Sequence, residues 1–447
     1  MPEPCSVCWK GAPALPERFE KYLGQVARSV RWKRARPFAL RELRTHLLEQ
    51  KDAFMAEGME EQAAEEAALE DMGDPAQVGG ELDRVHRPHP QWGLLVLGAL
   101  LSLFGTALRL GLTYGTHAGR SPAVGAAAFL LGLGAMAGMY FLDYRCLVRH
   151  AGKVYCLAVF AGLLSLVFSP VVNNTSYYTR YVALCYPAVY GMVVSSLRGS
   201  GWKGVFLAIA SGLPLVMTAL SAPYLLGALL IALVGFVVML CAAGGDWFGV
   251  GAGKTAGACC AVAAAILLPA VQLGRESWFS RRLTVLLHPE RDPLGAGYQA
   301  MSVRSVLAES SWQGSDVSLE RILPNWESDF LLTTTAYKLG WLPCLVFLGL
   351  ALILMGWMLV KCRRHKNGQL LALSAALTIG FQLLLAIVQN LGWIMGAVSV
   401  PFLSGNLHTV LSMALLGLAL SAFRQEALPE EQEGPKKKKW KLILIAE

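Results

Sequence analysis

The sequence predicts an all-α polytopic membrane protein of about ten transmembrane helices, preceded by a small helical bundle that faces water. Three observations carry that expectation. Of 447 residues, 55% are hydrophobic and only 16% charged, where soluble globular chains carry roughly 25% charged residues. The mean hydropathy is +0.46. After residue 90, apolar runs recur at about the 17–25 residues that a bilayer crossing requires. The same composition excludes disorder, and ten cysteines in this length, most inside apolar runs, exclude a secreted disulfide scaffold.

Residues 1–90 read as a separate helical domain, with no signal-peptide h-region in them. Phe19, Tyr22, Leu23 and Val26 stand at helical spacing within 16–30. The basic stretch from Arg31 to Arg36, which reads as a solvated face or as a docking face, leads into a second helix opened by Pro37. Leu40, Leu43, Leu47 and Leu48 continue that helix, and Gly58 stops it. A Glu-rich third helix over 59–72 ends at Gly73, and Asp74-Pro75 starts a fourth that ends near His86.

The membrane domain, 91–423, holds ten expected spans: 91–114, 121–143, 153–172, 180–197, 204–220, 222–243, 255–273, 329–360, 370–392 and 406–423. A long loop, 274–328, precedes the eighth, and a basic tail, 424–447, follows the tenth. Basic residues fall in alternate short loops: Arg145, Arg149 and Lys153; Arg198 and Lys203; Lys254; Lys361, Arg363, Arg364 and Lys366; then Lys436 to Lys439. The positive-inside rule therefore places both termini in the cytoplasm and the long loop outside. The net charge of +8 reflects that topology and attraction to anionic lipid, not nucleic-acid binding.

Several motifs have bland explanations. Cys5-x-x-Cys8 has no second pair at zinc spacing, so no metal site is expected. Gly249 to Thr255 resembles a phosphate loop, but Phe248 stands where the first glycine is needed, and a flexible turn carrying Lys254 explains it. Asn173-Asn174-Thr175 is a glycosylation sequon only in a eukaryotic secretory pathway. Arg109, inside the first span, either snorkels to the outer face or points into the bundle.

The long loop carries the chemistry. Asp292-Pro293-Leu294-Gly295 is a turn signal, and Gly295 and Gly297 permit close backbone approach. Leu323-Pro324-Asn325-Trp326-Glu327-Ser328-Asp329-Phe330 sets two carboxylates at the mouth of the eighth span. Asn390-Leu-Gly392 follows the ninth, and Pro401-Phe402-Leu403-Ser404 precedes the tenth. Three polar elements thus gather on one expected external face, where a site for a membrane-borne substrate belongs.

The Asp292-to-Gln299 run, the element ending Ser-Asp-Phe330, and Pro-Phe-Leu-Ser404 resemble successive signatures of the SEDS (FtsW/RodA/SpoVE) family. The N-terminal domain resembles the helical permease-prefix (HAAS) module of Firmicutes, through Trp32 to Pro37, Met72 to Pro75 and Glu81 to Pro88. The resemblance implies a peptidoglycan glycosyltransferase that polymerises lipid II beside a class B penicillin-binding protein. A 4-hydroxyl attacks an anomeric carbon, undecaprenyl pyrophosphate leaves, and a carboxylate must take the hydroxyl proton. Asp292 occupies the position of the family's essential external aspartate and is the implied catalytic base. Arg291, Arg304 and Arg180, or a divalent cation, would stabilise the leaving group. Gly295, Gly297, Tyr298, Gln299, Glu327, Asp329, Asn390 and Ser404 complete the candidate substrate-binding set.

The chain also departs from the family pattern. Tyr224 replaces an aspartate between the fifth and sixth spans, Leu184 to Pro187 lack the usual acid and base, and Ser404-Gly405-Asn406-Leu407 replaces Ser-Tyr-Gly-Gly. These losses favour the alternative of a non-catalytic relative that binds lipid II or a synthase. A solute transporter is the third reading, opposed by the scarcity of polar residues and of interrupted half-helices in the spans.

Overall fold

The amphipathic pattern of the first ninety residues closes into four helices: α1 (Glu17–Ser29), α2 (Arg36–Ala56), α3 (Glu61–Met72) and α4 (Pro75–His86). Phe19, Tyr22, Leu23 and Val26 of α1 pack with Leu43 and Leu47 of α2 and Ala68 of α3. Gly58 and Gly73 sit at φ of 93° and 79°, left-handed positions that end α2 and α3. Asp74 Oδ2 accepts from the Gln77 amide at 3.1 Å and starts α4. In the computed structural model, the described residues are 15–33, 35–86, 90–113, 122–172, 175–273, 284–285, 288–295, 297–315, 319, 322–323, 326–364, 369–394, 396 and 398–425. The Cys5/Cys8 pair, the sequon asparagines, Pro324, Asn325 and the Lys436–Lys439 run lie outside them. Two compact units result, 91–423 and the remainder of the chain.

A buried cation ties α2 to α3. Lys51 Nζ lies 2.6 Å from Glu61 Oε1 and 3.1 Å from Glu65 Oε1. The hydrogen bond that Lys51 donates to Glu61 holds the Glu61 carboxyl below its usual range and raises the Lys51 ammonium. A lowered native carboxyl stabilises above its unfolded pKa and loses that contribution as pH falls through the native value. A raised ammonium loses its contribution only as pH climbs through its own. Lys51→Met is therefore expected to speed amide exchange in α3 at neutral pH and to flatten its acid dependence, read by hydrogen exchange on the full chain.

The second unit is a helical membrane bundle. Its elements are α5 (Trp92–Thr113), α6 (Pro122–Phe141), the short α7 (Tyr144–Arg149), α8 (Ala151–Phe168), a hairpin of β1 (Val171–Val172) and β2 (Thr175–Ser176), α9 (Thr179–Ser196), α10 (Gly201–Ser221), α11 (Leu225–Gly244) and α12 (Ala252–Leu273). After the long loop come α13 (Tyr298–Ala308), α14 (Leu331–Lys338), α15 (Trp341–Arg364), α16 (Gln369–Asn390) and α17 (Asn406–Arg424). Among the described residues, eight helices are long and apolar enough to cross a membrane. The other two expected spans are present as helices. α9 carries Arg180 and three tyrosines and is buried on nearly all sides, so it does not offer lipid an apolar surface. α12 runs the full Ala252–Leu273, and over the residues whose side chains are described, Ala252–Ile266, it is an apolar helix. The expected eighth span is two helices, because Gly340, at φ 88°, breaks the chain between α14 and α15.

One core joins α5, α15, α16 and α17 through Leu101, Phe347, Leu354, Leu383 and Leu416. A second gathers α9, α10 and α11 around Tyr186, Leu215 and Val234. Lipid offers no hydrophobic drive between helices, so close backbone approach at small residues sets the packing. Gly417 lies on the Met136 backbone and Gly105 on the Phe402 carbonyl, where any side chain would collide. Arg109 faces the bundle: it is buried, and its Nη2 donates to Asn406 Oδ1 at 2.6 Å.

Candidate functional site

Three segments converge on the end of α16, each for an identifiable reason. The first is the loop ahead of α13. A 3-10 turn, Pro289–Arg291, leads into Asp292, whose carbonyl accepts from the Gly295 and Gly297 amides at 3.3 and 2.9 Å. A side chain at Gly295 would strike the Asp292 carboxylate, and one at Gly297 would strike the Pro289 and Asp292 carbonyls. Both glycines are therefore required by this turn. Asp292, Arg291 and Leu294 are exposed, Tyr298 is exposed at the start of α13, and Gln299 is half-buried.

Arg304 seats that loop. Its Nε–H donates to the Gly392 carbonyl at 2.9 Å, and its Nη1 lies 3.9 Å from Glu290 Oε2. Gly392, at φ 70°, closes against the Ala300 carbonyl. Glu290 is held below its usual carboxylate range by its own backbone amide and by His288, 3.0 Å away. The sequence suggests Arg304 as a ligand for the leaving group; its geometry is that of a brace. Gly392→Val is expected to unseat the loop, so that protease cleaves 288–298 sooner while the bundle core exchanges amides at the native rate.

The second segment is Trp326 to Phe330. Asn390 ties it down: Nδ2 donates to the Asp329 carbonyl at 3.2 Å, and Oδ1 accepts from the Leu332 and Thr333 amides, both at 3.1 Å. The orphan amides at the start of α14 are thereby satisfied from another helix. Gln389 Nε2 adds a bond to the same carbonyl at 3.1 Å. Asn390 thus serves the fold, with its side chain buried and fully engaged. Glu327 is half-buried beside it.

The third segment is 398–404. Gln389 Oε1 accepts from the Val398 amide at 3.0 Å, and Ser404 Oγ accepts from Val400 N at 2.8 Å. Gln382 Nε2 donates to the Ser399 carbonyl at 2.9 Å and also contacts His408 Nε2. Phe402 takes φ 61°, a strained value for a bulky residue, and is buried where Gly105 meets it. Ser404, like Asn390, is buried and engaged with backbone.

Arg180 enters from α9. Its Nη1 lies 3.8 Å from Asp329 Oδ1, with side-chain exposures of 16% and 6%, so the pair is largely withdrawn from water. The guanidinium lies over the rings of Tyr177 and Tyr181, 4.8 and 5.3 Å from their centroids. Burial raises the Asp329 carboxyl above its ordinary range, and Arg180 pulls it back. The structure thus brings Asp329, Asn390 and Arg180 into one polar knot, with Arg304 bonded to Gly392 just past Asn390, while Ser404 is engaged within its own 398–404 segment. Asp292 and Arg291 stand at the exposed rim of the loop. Sequence reasoning missed Gln382, Gln389 and His408. Polar residues inside otherwise apolar spans were the available signal.

A sequence profile for the family described as "Cell cycle protein", FtsW/RodA/SpoVE, matches residues 92–427. The chain belongs to the FtsW/RodA/SpoVE family. It is 30% identical to the probable peptidoglycan glycosyltransferase FtsW of Xanthomonas oryzae pv. oryzae, over 34% of this chain and 35% of that one. It is 28% identical to the FtsW of Acinetobacter baylyi, over 38% and 47% respectively. The chain therefore spans less than half the length of these curated relatives. Its fold is similar to a chain from a peptidoglycan synthase complex solved for the coordination of polymerization and crosslinking, at TM-score 0.59, 23% identity, and 75% and 98% coverage of the two chains. It is also similar to Thermus thermophilus rod shape-determining protein RodA, at TM-score 0.52, 19% identity, and 75% and 97% coverage. These identities establish the polytopic SEDS fold. In this FtsW/RodA/SpoVE family member, no group of three or more His, Cys, Asp or Glu side chains that could hold a metal occurs among the described residues.

Proposed function

We propose that this chain is a glycosyltransferase of cell-wall synthesis that polymerises lipid II outside the cytoplasmic membrane, with Asp292 as the general base. The observation that supports this most is the Pro289–Tyr298 turn, pinned to the end of α16 through Arg304 and Gly392, which presents an exposed carboxylate on the bundle. An alcohol is a poor nucleophile at neutral pH. The carboxylate would take the proton of the incoming sugar's 4-hydroxyl as that oxygen attacks the anomeric carbon, and undecaprenyl pyrophosphate would leave. Arg291 at the same rim, Arg180 at the knot, or a divalent cation would offset the charge on that leaving group. Gly295, Gly297, Tyr298, Gln299 and Glu327 lie along the substrate path in this reading. The basic short loops support a topology with both termini in the cytoplasm and this face outside. A class B penicillin-binding protein is the expected partner.

A second reading has its own support. Tyr224 is buried where the family pattern carries an aspartate, so this chain lacks one acidic group of its relatives. A binding or scaffolding relative would retain lipid II and make no polymer. Incubating the purified protein with lipid II, with and without its synthase partner, separates the two: glycan chains on a gel support the enzyme, and retention of lipid II without chains supports the scaffold.

A further inference from the structure

The N-terminal unit is electrically two-ended. Arg28, Arg31 and Lys33 are exposed around the α1–α2 turn. The acidic end begins at the far terminus of α2, with Glu57, Glu60 and Glu61 exposed. With 21 residues in α2, the two ends lie about 30 Å apart. The basic turn is fixed to α4 rather than loose. Gly79 of α4 lies against Ser29 and the Val26 carbonyl, the Arg31 amide donates to Asp83 Oδ1 at 2.7 Å, and Val30 and Ala35 pack with Trp32 and Leu82. Arg84, from the last turns of α4, adds an exposed cation, and Val85 beside it is 65% exposed. Only residues 87–91 separate α4 from the first membrane span, at most about 20 Å of extended chain.

We propose that this basic end, Arg28, Arg31, Lys33 and Arg84 with Trp32 and Val85, docks on anionic phospholipid headgroups of the membrane that the chain spans. Several cations fixed on one surface, an apolar residue exposed among them, and a short tether to the bilayer are the features of a lipid-surface contact. The acidic end, carried away along α2, would be repelled by the same surface, so the unit has one orientation to prefer. Of the two carboxylates in the last turns of α4, Asp83 already accepts the Arg31 amide and Glu81 is exposed, so the four cations outnumber them. The proposal stands apart from glycosyl transfer: the unit would report the charge of the membrane whether or not the bundle makes polymer.

The test uses the full chain in nanodiscs of phosphatidylcholine alone, and in discs with part of that lipid replaced by phosphatidylglycerol, read by hydrogen exchange. Amides of 30–36 are expected to exchange several-fold more slowly in the anionic discs, and to recover on raising salt. Arg28→Gln, Arg31→Gln, Lys33→Gln and Arg84→Gln together should abolish the slowing, with α3 amides unchanged as the control for folding. The three arginines changed to Lys should retain it. Equal exchange in the two discs, or slowing that survives high salt or the neutral variant, would overturn the proposal. The salt titration on the native chain decides the matter even if the fourfold variant does not fold.

Discussion

Asp292→Ala is expected to lower lipid II polymerisation by about 10²–10⁴-fold, the usual contribution of a positioned general base. Thermal stability should stay close to native, because the side chain is exposed and buries no apolar surface. Asp292→Asn tests the same point more narrowly. It keeps the shape of the turn, in which the side chain lies over Gly295, and removes the basicity. Loss of product in both variants with unchanged retention of lipid II identifies a proton-transfer role. Native rates in either variant would exclude this carboxylate as the base. Loss of retention together with product would move Asp292 from proton transfer to substrate binding.

The largest expected effect on stability falls at Arg180. Removing one partner of a buried ion pair leaves the other charge unpaired in a poorly solvated place and typically costs about 3–5 kcal/mol. Arg180→Ala also removes the guanidinium lying over Tyr177 and Tyr181. The sign of the pH response is diagnostic. Asp329 is already raised by burial, and Arg180 is the influence that lowers it. In the variant the carboxyl rises further, so the native state binds a proton more tightly than the unfolded chain does. The variant should therefore regain stability as pH falls, measured as the unfolding midpoint in detergent. Arg180→Met with Asp329→Asn should cost less than the two single changes summed. An additive pair would mean that the 3.8 Å contact carries no coupling.

The sequence made the helices legible because each carries a period. The apolar residues of 16–30 recur every three or four positions, and α1 occupies Glu17–Ser29. The spans are long and apolar enough that length alone finds most of them. What it could not show depends on partners distant in the chain. Arg109 inside a span has two physical solutions, and the choice is made by Asn406, which the sequence places at the start of the tenth span. Arg304 reads as a free cation until the Gly392 carbonyl is found beside it. The break at Gly340 is hidden because apolar residues continue on both sides of it. The motif elements around Asp292, Asp329 and Ser404 were visible as turn residues in a greasy chain, but that they meet at Gln389 and Asn390 depends on tertiary hydrogen bonds alone.

The full engagement of the Asn390 side chain, whose Nδ2 also donates to the Ala386 carbonyl at 2.8 Å, means that tolerance to substitution is a poor guide to chemistry in this protein. A saturation screen scored on growth would return Asn390 as intolerant as any proton-transfer group, since no other residue type offers two donors and an acceptor at that reach. Scoring abundance in the membrane alongside growth would part the two classes. Asn390 variants would vanish from the envelope, while chemically dead ones would accumulate there intact.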